Sequence, residues 1–173
     1  DFAGNRENGI GNDGVLTINR GSITENGHNR PAGSGSYSPQ TAVLNLEGGE
    51  VEMNGGSISD NIADAVWTYG SFALNEGEIS GNIKGVTVFE GAVMTMAGGA
   101  ISANGYEDSM GAALTNDGTV TITGGTMRNN TGTFTVHNNG TLSLAGVNIS
   151  GNYAGGISTY STAGAEFGYA TLW

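Results

Sequence analysis

The sequence predicts an all-β chain, a single-stranded parallel β-helix solenoid, and three observations carry that prediction. A short phrase recurs: "GGSISDN" at Gly55–Asn61, "GEISGN" at Gly77–Asn82, "GGAISAN" at Gly98–Asn104, "GGTMRNN" at Gly124–Asn130 and "VNISGN" at Val147–Asn152. Apolar and polar residues alternate with period two, as in Val51-Glu52-Met53 and Val120-Thr121-Ile122, which is strand and not helix periodicity. Thirty-two glycines and two prolines, with polarity supplied by Ser, Thr and Asn, favour pleated strands joined by tight turns.

Each element of the repeat has its own reason. Anchored on asparagine, the units fall at Asn5, Asn26, Asn61, Asn82, Asn104, Asn130 and Asn152, spaced by 21, 35, 21, 22, 26 and 22 residues. Three residues before each anchor stands an apolar side chain: Phe2, Ile23, Ile58, Ile79, Ile101, Met127 and Ile149. Five residues earlier stands another from the second unit onward: Ile18, Met53, Leu74, Met96, Ile122 and Leu144. A third short strand follows each asparagine, as in Val66-Trp67, Val86-Thr87-Val88, Ala113-Leu114 and Phe134-Thr135-Val136. One unit therefore reads strand a, turn, strand b, glycine turn, strand c, asparagine turn. Copies stack at roughly 4.8 Å per rung. The asparagine suits the bend after strand c because it tolerates a left-handed backbone and its amide can bond neighbouring rungs. The seven anchors are thus expected to form a structural ladder. About seven rungs make one domain over residues 1–173.

These units resemble the right-handed parallel β-helix repeats of the pectate-lyase-like superfamily. More specifically they resemble the "GG-x-I-S-x-N" repeats of adhesin-like bacterial and archaeal surface proteins, and "GGAISAN" is similar to motifs of polymorphic outer-membrane proteins. The resemblance implies a right-handed coil. It is weak for function, because one scaffold hosts lyases, hydrolases, adhesins and fibre proteins.

Where the repeat is broken, insertions point to a working surface. "GHNRPAGSGSYSPQ" fills 27–40 and "GYEDSM" fills 105–110, both just past a ladder asparagine and so at one corner, roughly 14 Å apart at three rung spacings. His28, Arg30, Tyr37, Tyr106, Glu107, Asp108 and Tyr153 are the candidate ligand-binding residues there. Aromatics beside carboxylates would suit a carbohydrate. At the ends, Phe2 at one side and Leu172 with Trp173 at the other both fall in strand c phase. An excised segment, end-to-end stacking through those residues, and end loops that fold over as caps all fit.

The net charge of −11, with Arg6, Arg20, Arg30, Lys84 and Arg128 scattered singly, argues against nucleic-acid and anionic-membrane partners. Zero cysteines exclude a disulfide scaffold and a thiolate metal site. No long apolar run marks a transmembrane helix, and Asp1 is no initiator methionine, so a removed leader remains open.

Catalysis on this kind of scaffold needs acids clustered on an outward face. Outward positions of strand b read Thr17, Glu52, Ala73, Thr95, Thr121 and Ser143, and those of strand c read Thr24, Ser59, Ser80, Ser102, Arg128 and Ser150. These are small polar rows. Glu47, Glu50 and Glu52, with Asp60 and Asp64 nearby, lack a basic partner in register and are expected to be a solvated acidic face. His28 and His137 are expected to be lone surface histidines. No metal set and no cofactor site is predicted.

The expected function is a non-catalytic extracellular or cell-surface structural or adhesin-like module, with end-to-end assembly into a filament as an option. The alternative is a carbohydrate-binding or carbohydrate-active β-helix working at the 27–40 and 105–110 corner, with a carbohydrate or host-surface ligand as partner.

Overall fold

The computed structural model describes residues 1–27, 40–106, 110–160, 164–167 and 171–172. Every described element is a strand. The chain opens with β1 (Phe2–Ala3), β2 (Ile10–Asn12), β3 (Val15–Ile18), β4 (Ser22–Thr24) and β5 (Thr41–Asn45). The middle holds β6 (Glu50–Ser59), β7 (Asp64–Thr68), β8 (Ser71–Ser80), β9 (Lys84–Val88), β10 (Val93–Met96) and β11 (Ala100–Ser102). Then follow β12 (Leu114–Asn116), β13 (Thr119–Ile122), β14 (Thr126–Arg128), β15 (Phe134–Asn138) and β16 (Thr141–Leu144). The last are β17 (Asn148–Ser150), β18 (Gly155–Thr159), β19 (Gly164–Phe167) and β20 (Thr171–Leu172).

All pairings are parallel and join a strand to its counterpart one turn away, which makes the chain a parallel β-solenoid. The a strands form a seven-stranded sheet in the order β18-β15-β12-β9-β7-β5-β2. The b and c strands form one thirteen-stranded sheet, because β6 and β8 run unbroken through the glycine turn and carry both. The described residues complete about six turns.

Register places the apolar residues in columns. Ile23, Ile58, Ile79, Ile101, Met127 and Ile149 stack along strand c. Ile18, Met53, Leu74, Met96, Ile122 and Leu144 stack along strand b. Val43, Val66, Val86, Leu114 and Val136 close the interior from strand a. All of these are buried, and each such side chain contributes about 1.5–3 kcal/mol of burial before chain entropy is subtracted. Phe2, at the first rung, is exposed.

Two glycine or left-handed columns shape the turns. Gly21, Gly56, Gly77, Gly99 and Gly125, two residues before the strand c apolar residues Ile23, Ile58, Ile79, Ile101 and Met127, have φ between 71° and 97°. At Gly56, Gly77, Gly99 and Gly125 an added Cβ would also meet the backbone of the preceding rung within 3.2 Å. The second column corrects the expectation for the asparagine turn. The left-handed residue is the one before the ladder asparagine: Gly4, Glu25, Asp60, Gly81, Ala103, Asn129 and Gly151, with φ from 52° to 71°. That twist turns the following asparagine side chain inward.

The asparagine ladder is continuous. Asn5 donates through Nδ2 to Asn26 Oδ1, and the pattern repeats through Asn61, Asn82, Asn104, Asn130 and Asn152. Each backbone N–H bonds the same neighbouring Oδ1, and each Nδ2 from Asn61 onward also reaches a carbonyl of the preceding rung. A second ladder, missed from sequence, lies at the end of strand a. Asn12 donates to Asn45 and Asn45 to Thr68, while Asn116 donates to Asn138 and Asn138 to Thr159. Val88 occupies the position between the two runs.

Candidate functional site

The outward rows have the expected register: Thr17, Glu52, Ala73, Thr95, Thr121 and Ser143 lie side by side, as do Thr24, Ser59, Ser80, Ser102, Arg128 and Ser150. Polar side chains beside the rows bond to some of their members and to one another. Ser102 Oγ donates to Glu78 at 2.6 Å, and Asn75 Nδ2 donates to Glu52 at 3.1 Å and to Asn54 at 2.8 Å. Among the described residues no group of three or more His, Cys, Asp and Glu could hold a metal.

Of the loop-corner candidates, His28, Arg30, Tyr37, Glu107 and Asp108 lie outside the described residues, as does Trp173. Tyr106 and Tyr153 are 51 % and 82 % exposed. They sit two rungs apart on the asparagine edge, the turns after Asn104 and Asn152 being separated by that after Asn130. Leu172 pairs with Ile149, as its strand c phase predicts.

Two expectations are corrected on the a strands. His137 is no surface histidine: it is only 5 % exposed. Its ring lies edge-on to Tyr160 at 5.3 Å and beside Phe134 at 6.4 Å, Gly111 packs against its Cβ, and Nδ1 has no hydrogen-bond partner. Asp64 does not belong to a solvated acidic face. It accepts a 2.7 Å bond from Trp67 Nε1 and lies opposite Lys84. Burial raises its carboxyl above the ordinary value, outweighing the indole bond and the lysine charge, which both lower it.

The described residues that do converge lie at the other corner, where strand a turns into strand b. Turn length there varies. Two residues join strand a to strand b at Asp13-Gly14, Tyr69-Gly70, Asp117-Gly118 and Asn139-Gly140. Four residues do so at Leu46-Glu47-Gly48-Gly49 and Phe89-Glu90-Gly91-Ala92. The two long turns flank the short Tyr69-Gly70 turn, roughly two rung spacings (about 10 Å) apart, and leave a groove of about 710 Å³ between them.

Backbone bonds put Leu46, Tyr69 and Phe89 at equivalent positions on successive rungs. The Tyr69 ring stacks on Phe89 at 4.1 Å and 7°, and Trp67 meets Phe89 edge-on at 5.4 Å. Exposed Leu46, Tyr69 and Val93 supply apolar surface, and Glu47, Glu50 and Glu90 supply carboxylates. The signal was present in the sequence: the first inward strand b residue follows the strand a ladder position by four residues at Leu16, Phe72 and Val120, but by six at Val51 and Met94.

No protein-family profile, curated protein sequence or solved structure matches the chain.

Proposed function

We propose that this chain is a non-catalytic structural module of an extracellular or cell-surface protein, of the adhesin-like type. The observation that carries the reading is the pair of outward rows on the thirteen-stranded sheet. They hold mostly short Ser and Thr side chains in register over six rungs, interrupted on two adjacent rungs of one row by Glu52 and Ala73 and once in the other by Arg128. Beneath them, two amide ladders and three apolar columns give a stiff scaffold whose outward rows are polar and carry few charges. Such a surface suits long-term exposure, and the likeness of the repeat to surface-protein repeats agrees with it.

Stacking of copies end to end is the assembly this reading favours. Among the described residues β1 pairs with β4, and Phe2, in strand c phase, is exposed. A carbohydrate-binding or carbohydrate-active module is the second reading. Exposed Tyr106 and Tyr153 at the asparagine edge are the observation that favours it.

Electron microscopy of the purified chain, together with a polysaccharide cleavage panel, tests both. Rods or filaments without release of new sugar ends are expected. Release of sugar ends that is lost on substitution in the outward rows or at Tyr106 and Tyr153 would overturn the structural reading.

A further inference from the structure

We propose that the groove between the two long a–b turns is a docking site for a lysine-bearing, extended segment of a partner polypeptide. This deepens the surface-module reading by naming a partner, and it rests on separate residues.

Three features on one surface favour that occupant. The groove has an apolar bed: Leu46, Tyr69 and Val93 are exposed in a solenoid whose apolar side chains otherwise point mostly inward. The bed is fixed, because Tyr69 is held against Phe89 and Phe89 against Trp67. Around it stand three carboxylates, Glu47, Glu50 and Glu90, and among the described residues neither Lys nor Arg lines the groove.

An apolar bed rimmed by acids complements a side chain with an aliphatic stem and a cationic tip. Lysine suits it better than arginine. One face of Tyr69 is covered by Phe89, so a guanidinium has less aromatic face on which to stack. A polypeptide suits it better than a small amine because the walls are turn backbone. At Gly48 and Gly91 an added Cβ would meet nothing within 4 Å, so bare turn backbone faces open space in which a second backbone can lie close. The net charge of −11 draws such a segment in, and the groove decides where it stays.

The test is calorimetric titration of the whole chain with an acetylated, amidated tetralysine peptide at about 0.15 M salt, where diffuse attraction is screened. One variant carries Glu47→Gln, Glu50→Gln and Glu90→Gln. A charge-matched control carries Glu7→Gln, Asp13→Asn and Glu25→Gln, all exposed and none lining the groove. A third carries Tyr69→Ala and Val93→Ser. Thermal midpoints confirm that each variant folds.

Saturable binding is expected, weakened about tenfold or more by the groove triple and by less than about twofold by the control. The Tyr69 and Val93 variant should also weaken it. Equal losses in the two charge-matched variants would mean diffuse electrostatics and overturn the site. No peptide binding, or binding of a glucosamine tetramer at the groove in its place, would overturn the ligand class. Either failure leaves the scaffold reading standing, because that reading is tested by particle shape and the absence of cleavage.

Discussion

Asn61 and Asn82 are joined twice: the backbone N–H of Asn61 and its Nδ2–H both donate to the single Oδ1 of Asn82, at 3.1 and 2.7 Å. Both residues are buried, and Asn82 passes the pattern on to Asn104 while its Nδ2 also reaches the carbonyls of Ile58 and Ser80. One amide therefore satisfies donors and acceptors of three rungs.

Asn82→Ala strands those groups at once in a buried place. The expected loss is about 1–3 kcal/mol, or roughly 3–10 °C in thermal midpoint for a chain of this size. Asn5→Ala removes only one bond, to Asn26, from an exposed position and should cost less than about 1 kcal/mol. Thermal unfolding of the two variants checks the contrast. Equal, small shifts would mean that the ladder does not carry stability.

Val88 interrupts the second ladder, with Thr68 on one side and Asn116 on the other. Val88→Asn places an amide where both neighbours can bond it, so the substitution should change stability by no more than about 1 kcal/mol. Val86→Asn, two residues earlier in the apolar column, meets no polar side chain and should cost about 3 kcal/mol. Urea unfolding of the pair separates a ladder position from a core position. Similar losses would deny that the Val88 site accepts an amide.

The first ladder was legible because one residue type recurs at one offset from the strand c apolar residue. The second was not, although its members are as deeply buried. Asn12, Asn45, Thr68, Val88, Asn116, Asn138 and Thr159 mix three residue types. They also follow the first ladder at distances from 6 residues (Asn82 to Val88) to 19 (Asn26 to Asn45), because the insertions fall between. The groove was hidden for a related reason: it arises from the order of turn lengths, long, short, long, and not from any motif. His137 misled because strand alternation sets a side chain's face but not what covers that face. Its burial comes from Phe134, Tyr160 and Gly111, which no local pattern links.

Ala103 adopts a left-handed conformation, φ 52°, at a position where Gly4, Gly81 and Gly151 serve the same turn in other rungs. An L side chain there costs about 1–2 kcal/mol, and glycine loses about 0.5–1 kcal/mol more entropy on folding. Ala103→Gly should therefore stabilise the chain by about 0.5 kcal/mol, although replacing alanine by glycine normally does the opposite. Gly151→Ala, at φ 62°, should destabilise it. Chemical denaturation resolves the sign, and destabilisation by Ala103→Gly would show that the left-handed turn is not what strains this position.

Asp64 gives the fold a pH dependence whose sign follows from its surroundings. Its folded-state carboxyl titrates above the ordinary value, chiefly because burial disfavours the anion, while the Trp67 Nε1 bond and Lys84 only partly offset this. Well below the ordinary value the group is protonated both folded and unfolded, and it adds no pH dependence. As pH rises through the ordinary value the unfolded chain releases the proton first. The folded state loses relative stability until pH has passed the raised value. Asp64→Asn removes the titration and keeps an oxygen to accept the Trp67 N–H. Relative to this variant, the parent chain should lose stability between acidic and neutral pH and then level off. Urea unfolding of both from pH 3 to pH 7 measures the difference directly. A parent chain that gains on the variant as pH rises would instead show that attraction between Asp64 and Lys84 outweighs burial.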